Sequence, residues 1–163
     1  MEQYLCIATG LAVLGSGLIA GVFFAFTAFL LTALGRLPAP AGITAMQSVT
    51  SAIKSLLFLL VFFGTAVLAA GLGLSSPFRW SEPGAGYLLL GSLLYLNFPF
   101  GVTLAKNVPL NTRLAGTDAA SEEGARFWEK FRASWGMWNH LRWIGALAAA
   151  AAFLMALLKG AAA

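Results

Sequence analysis

The stretch QYLCIATGLAVLGSGLIAGVFFAFTAFLLTALG, residues 3–35, decides the fold. No charged side chain interrupts it between Glu2 and Arg36. A helix of about 20 apolar residues crosses a hydrocarbon layer of roughly 30 Å, so this run is long enough to span a bilayer. It does not read as a cleavable signal peptide. Such leaders open on basic residues and carry an apolar region of only about 7–15 residues, whereas Glu2 is the only charge ahead of this run. The segment is expected to stay in the membrane as a helix.

The rest of the chain has the same character. Of 163 residues, 60% are hydrophobic and 10% are charged, against about 25% charged in a soluble domain. Lipid must therefore cover part of the surface. The formal charge of +4 is small and scattered. It suits cytoplasmic anchoring of loops and points away from nucleic acid. The lone Cys6 excludes an internal disulfide and reads as a buried, inert thiol.

Three further apolar stretches complete the set. The expected spans are about 5–34, 55–76, 86–106 and 138–158, within one membrane domain covering residues 1–163. The fourth is short between Arg142 and Lys159, and reaches full length only if Trp138 to Arg142 are already helical at the interface. Segments of about 38–53 and 109–134 have helical spacing and the charge order helices prefer, so short interfacial helices are expected in the first and third connections. The fold class is all-α: an integral membrane four-helix bundle of up-down topology.

Basic residues give the orientation. Arg36, Lys54, Lys106, Arg113, Arg126, Lys130, Arg132 and Arg142 fall on the side of the first and third connections, and Arg79 and Lys159 on the other. Both termini are thus expected outside the cytoplasm, in a bacterial inner membrane. The G-x-x-x-G pair Gly17 and Gly21 is read as packing within the bundle, with a homo-oligomer as the alternative. Pro99 should kink the third span and free the Tyr95 carbonyl, while Asn97 reaches a neighbouring helix. Pro109 should break the helix beyond it, with Asn107 closing its last turn and Asn111 capping the next. The Ala-rich tail should fray at its end.

Polar residues at the mouth of the fourth span are the functional candidates. In WGMWNHLRWIG, residues 135–145, Asn139, His140 and Arg142 sit among tryptophans. On a helix, Trp128, Phe131, Trp135, Trp138, Asn139 and Arg142 fall within roughly 100° of arc, and His140 points about 100° away from Asn139. Tryptophan and arginine are common at membrane interfaces, which accounts for Trp128 and Trp143. Arginine at the edge of a span is costly unless it pairs or serves, which favours a site at Asn139 and Arg142. KNVPLNTR, residues 106–113, places Asn107 and Asn111 on the same side, with Met46 and Gln47 of the first connection overhead. A polar pocket with aromatic walls is expected there.

NVPLN followed about 25 residues later by WxxWNHxR resembles the DUF1772, or anthrone oxygenase, family. GVFFAFTAFLLTAL and AGITAMQSV resemble its first helix and first connection. The resemblance covers nearly the whole chain. It implies a small four-helix membrane protein and, by likeness to fungal members, oxidation of anthrones to anthraquinones with molecular oxygen. Thr112, Thr50 and Ser55-Leu56 depart from residues frequent in relatives: an acid, an asparagine and an Asn-Pro pair.

Two functions follow. In the first, the protein is a cofactor-independent oxygenase whose partner is a lipophilic aromatic small molecule. Asn139, Arg142, Asn107 and Asn111 would be oxyanion donors, Trp135 and Trp138 stacking platforms, Gln47 a further contact, and His140 the candidate base. One histidine and no acidic cluster within the spans argue against a non-haem iron or zinc site. In the second, the protein is non-catalytic, binding a lipid or quinone or serving a larger complex, and His140 is dispensable.

Overall fold

The computed structural model describes residues 2–161 and is helical throughout, without strands among those residues. Five helices form. Helix α1 is Gln3–Gly35, α2 is Ala39–Ala52, α3 is Leu56–Ser75, α4 is Ala85–Ala115 and α5 is Glu122–Ala161. All but α2 are long and apolar enough to cross a membrane. Helices are the natural outcome, because in hydrocarbon each backbone N–H and C=O must be satisfied within the protein. Helix α1 packs on α3 and α5, and α4 packs on the same two, closing a four-membered up-down ring.

The packing differs from that of a soluble bundle in its outward faces, which are as apolar as its core. The interior sets small side chains, among them Ala12, Ala20, Ala66, Ala69, Ala146, Ala149 and Ala156, between large ones such as Ile19, Phe62, Tyr95 and Phe153. The outward faces carry Leu14, Leu57, Val67, Leu74, Ile144 and Leu158. Lipid is as apolar as leucine, so helices gain by approaching closely through small residues. At Gly15 a Cβ would meet the Thr65 side chain, and at Gly91 it would lie 2.8 Å from the Phe153 ring. Gly17 and Gly21 behave differently. A Cβ at either meets nothing within 4 Å, and both face outward. The expected role of this pair inside the bundle is therefore corrected. Cys6 is likewise exposed rather than buried.

One end of the bundle carries a second core. Helix α2 lies across it, and Ile43, Met46, Leu114, Phe127, Trp128, Phe131 and Trp135 pack beneath. Gly42 permits this contact, since a Cβ there would lie 2.9 Å from the Leu34 carbonyl and 3.1 Å from the Trp128 ring. The first connection is thus the short helix expected. The third is helical too, but its helices are continuations of the spans α4 and α5, joined by a turn over residues 116–121. Ser121 caps α5, its hydroxyl accepting from the Gly124 N–H at 2.9 Å.

Proline explains the shape of α4. Pro99 lies in a π-helical stretch, Leu96–Asn107, whose wider turns absorb a residue that lacks an N–H. Pro109 does not break the helix. It falls in the first turn of the α-helical segment Val108–Ala115, where an N–H is dispensable. Asn97 turns back to the Leu93 carbonyl of its own helix at 2.8 Å rather than reaching a neighbour. Asn111 lies within this helix and caps nothing. Helix α1 has a π-helical turn of its own at Phe26–Leu30. At the opposite end of the bundle Arg79 joins Glu2 at 2.9 Å and Glu82 at 3.2 Å. The Tyr4 hydroxyl and then Arg79 hold the Glu2 carboxyl below its usual range. Ala162 and Ala163, in the tail expected to fray, lie outside the described residues.

Candidate functional site

Where α3 and α4 separate beneath α2, a cavity of about 490 Å³ opens, within the usual range of about 300–1,000 Å³ for ligand pockets. Its walls come from all five helices. Phe23 and Phe26 belong to α1, Met46, Gln47 and Thr50 to α2, Phe58, Phe62 and Phe63 to α3, Thr103 and Asn111 to α4, and Trp135 and Arg142 to α5. The aromatic side chains are mutually packed, with Phe26 5.0 Å from Trp135 and Phe58 stacked 5.7 Å from Phe62. Leu59, Phe63, Leu104 and Val108 line the cavity and are also exposed. They belong to α3 and α4, so the rim is apolar on that side, while exposed Ser51, Lys54 and Thr112 make the rest of it polar.

Arg142 is the charged centre. It is 4% exposed, and its guanidinium lies 4.0 Å from the Phe23 ring centroid and 4.8 Å from that of Trp135. Its Nη2 donates to Asn139 Oδ1 at 2.7 Å and its Nη1 to Thr103 Oγ1 at 3.2 Å, while Nε has no partner. Every ion pair among the described residues involves Arg79 or Arg126, so no carboxylate neutralises Arg142. Burying an ion without a counter-charge costs several kcal/mol. Such a group in a cavity wall is a site for an anion or a developing negative charge.

The neighbours hold Arg142 in place. Asn139 is fully buried, and its Nδ2 donates to the Phe23 carbonyl at 2.7 Å and to Thr27 Oγ1 at 2.9 Å. Both amide hydrogens are thereby used, and Oδ1 faces the guanidinium. Asn139 orients Arg142 and does not itself line the cavity. Asn107 is also fully buried, but reaches the Trp135 carbonyl only at 3.4 Å, and its Oδ1 is unpartnered. Asn111 Oδ1 accepts from Trp135 Nε1 at 2.9 Å, which leaves its amide N–H groups for a ligand. Gln47 Nε2 donates to the Leu114 and Thr117 carbonyls at 2.9 and 3.0 Å, fastening α2 over the cavity and leaving the side-chain oxygen Oε1 free.

Besides Asn139, three sequence candidates do not line the cavity: Asn107, Trp138 and His140. Trp138 sits under Lys106, whose Nζ is 5.0 Å from the ring centroid, away from the cavity wall. His140 is exposed in a separate cleft between α1 and α5. A chain of hydrogen bonds still connects it to the site: His140 Nδ1 lies 3.1 Å from Thr27 Oγ1, which receives Asn139, which in turn receives Arg142. Among the described residues no three histidine, cysteine, aspartate or glutamate side chains converge on a metal position. Sequence reasoning missed Thr27, Thr103 and the phenylalanines of α1 and α3. Isolated threonines within spans were a weak signal for the first two. Nothing in the sequence separates Phe58 or Phe62 from phenylalanines that face lipid.

A family model described as anthrone oxygenase matches residues 56–152, more than half of the chain. Asn107, Asn111, Trp135, Asn139 and Arg142 lie inside the match, whereas Phe23, Phe26, Thr27 and Gln47 lie outside it. No curated protein and no solved structure matches the chain.

Proposed function

Because this chain belongs to the anthrone oxygenase family and has four helices able to cross a membrane, we propose that it oxidises a planar, anthrone-like aromatic with molecular oxygen, without a cofactor. The observation that carries this reading is Arg142, a buried cation without a carboxylate in the wall of an aromatic cavity. Loss of a proton from the CH2 carbon of an anthrone leaves an enolate with its charge on the ketone oxygen. Arg142 and the free amide N–H groups of Asn111 are the donors for that oxygen. The phenylalanines and Trp135 enclose the rings. The electron-rich carbanion then reacts with dioxygen at carbon. One oxygen atom becomes the new carbonyl, and the other leaves as water with the two CH2 hydrogens. A lipophilic substrate enters from the bilayer through the apolar rim between α3 and α4. By the distribution of basic residues the site lies at the cytoplasmic end, in a bacterial inner membrane with both termini outside.

The test is oxygen uptake by purified, detergent-solubilised protein given a panel of anthrones. Wild type should consume oxygen. Arg142→Lys and the Asn139→Ala, Arg142→Ala double variant should lose about 10²-fold or more, the usual cost of removing an oxyanion donor. No uptake above buffer across the panel would overturn the proposal.

One observation favours a second reading, a non-catalytic site for a quinone or lipid. The titratable side chains in the cavity wall are Lys54 and Arg142, neither a carboxylate nor a histidine. A deprotonation there must draw its base from water or from Lys54 at the rim. Quenching of Trp135 fluorescence by anthrones without oxygen uptake would select this reading.

A further inference from the structure

The cleft that holds His140 is the second large cavity of the molecule, about 610 Å³, between α1 and α5. Its polar lining comprises Arg36, Arg132, His140, Glu129, Thr27 and Thr32. The proposed oxidation uses none of these as a substrate contact. Arg36 ends the apolar run of α1, so the cleft starts at the membrane interface. Thr27 and His140 lie deeper, beside the apolar Phe26 and Leu31. Nine residues of helix separate Thr27 from Arg36, a depth of roughly 13 Å at 1.5 Å per residue.

Two features mark it as a site for an anion. Neither Arg36 nor Arg132 forms an ion pair with Glu129, and Arg132 Nε is buried without a partner. The backbone is bare where the guanidinium crosses it: a Cβ at Gly35 would collide with Arg132. Deeper in the cleft, His140 Nδ1 lies 3.1 Å from Thr27 Oγ1. With His140 counted neutral, two arginines and one glutamate leave a single positive charge, the complement of one phosphodiester.

We propose that this cleft binds the phosphodiester of an anionic phospholipid, held by Arg36 and Arg132. A lipid rather than a free phosphate fits the position. The two arginines stand at headgroup depth, and the wall beneath them, with Phe26 and Leu31, is apolar, where acyl chains continue. The bound lipid packs against the α1–α5 seam from the side opposite the aromatic cavity.

The experiment is a titration of the purified protein in detergent, read by thermal unfolding. The probes are short-chain phosphatidylglycerol, short-chain phosphatidylcholine and inorganic phosphate. Phosphatidylglycerol should raise Tm more than phosphatidylcholine does, and inorganic phosphate should not. The Arg36→Gln, Arg132→Gln double variant should bind phosphatidylglycerol about ten-fold or more weaker, as expected for losing charge-assisted hydrogen bonds. Equal shifts for the two lipids that persist in the variant overturn the proposal, and so does inorganic phosphate reproducing the shift. Should the double variant not fold, Glu129→Gln decides. Removing that negative charge should tighten phosphatidylglycerol binding, and unchanged binding overturns the assignment. Oxygen uptake plays no part in this readout, so the two proposals fail separately.

Discussion

Arg142 is held against its own stability. It touches two aromatic rings and two neutral acceptors, and Nε has no partner. Replacing even a buried ion pair by apolar side chains of similar size is often neutral or stabilising by about 1–4 kcal/mol, and Arg142 lacks the attraction of a paired carboxylate. The loss of Asn139 and Thr103 as partners offsets part of that gain. Arg142→Met should therefore keep or raise Tm while abolishing oxygen uptake. A marked fall in Tm would show that the guanidinium serves packing. His140 gives the converse case. Its ring lies outside the cavity and is exposed, so His140→Ala should keep turnover within about three-fold, and its stability should change by no more than the usual surface effect of about 0.5 kcal/mol. Loss of turnover in His140→Ala, with the fold intact, would mean that the chain through Thr27 and Asn139 carries more than orientation.

The helices make their own predictions. On α1, Gly15 and Gly17 are two residues apart but face different media. A Cβ at Gly15 meets Thr65 of α3, and one at Gly17 meets nothing within 4 Å. Gly15→Leu should destabilise by about 1–3 kcal/mol through overpacking, and Gly17→Leu by less than about 0.5 kcal/mol, both measured as thermal unfolding in detergent. An equal penalty at Gly17, with a change in oligomer size, would place the outward Gly17 and Gly21 in a contact between copies. On α4 the π-helical stretch Leu96–Asn107 sets the direction in which Asn107 and Asn111 leave the helix. Restoring an N–H with Pro99→Ala permits tighter α-helical bonding and turns both asparagines away from α5. Turnover should fall further than stability does.

For the molecule as a whole, topology is the first test. A reporter active only in the cytoplasm, fused after Ala163, should stay silent, and one placed in the first connection should be active. Much of the architecture was legible before any contact was known. Three uncharged runs long enough for a bilayer, and a fourth that reaches that length only from Trp138, require helices, because no other open structure satisfies its backbone in lipid. Short connections then make neighbours antiparallel. The 100° periodicity likewise aligned Trp135, Asn139 and Arg142. That periodicity orders residues around one helix, and is silent on which neighbour a face meets. It did not reveal that Gly17 and Gly21 face lipid or that Cys6 is exposed. Nor did it show that Asn139 uses both amide hydrogens on α1, or that Phe58 and Phe62 of α3 wall the cavity. In a membrane chain the inward and outward faces are both apolar, so hydrophobicity, which sorts them in soluble proteins, loses its contrast. The sequence alone determined the spans, their number and the polar residues at one end. Only tertiary structure decided which faces meet and which cation is left without a partner, because these depend on close contacts between helices far apart in the chain.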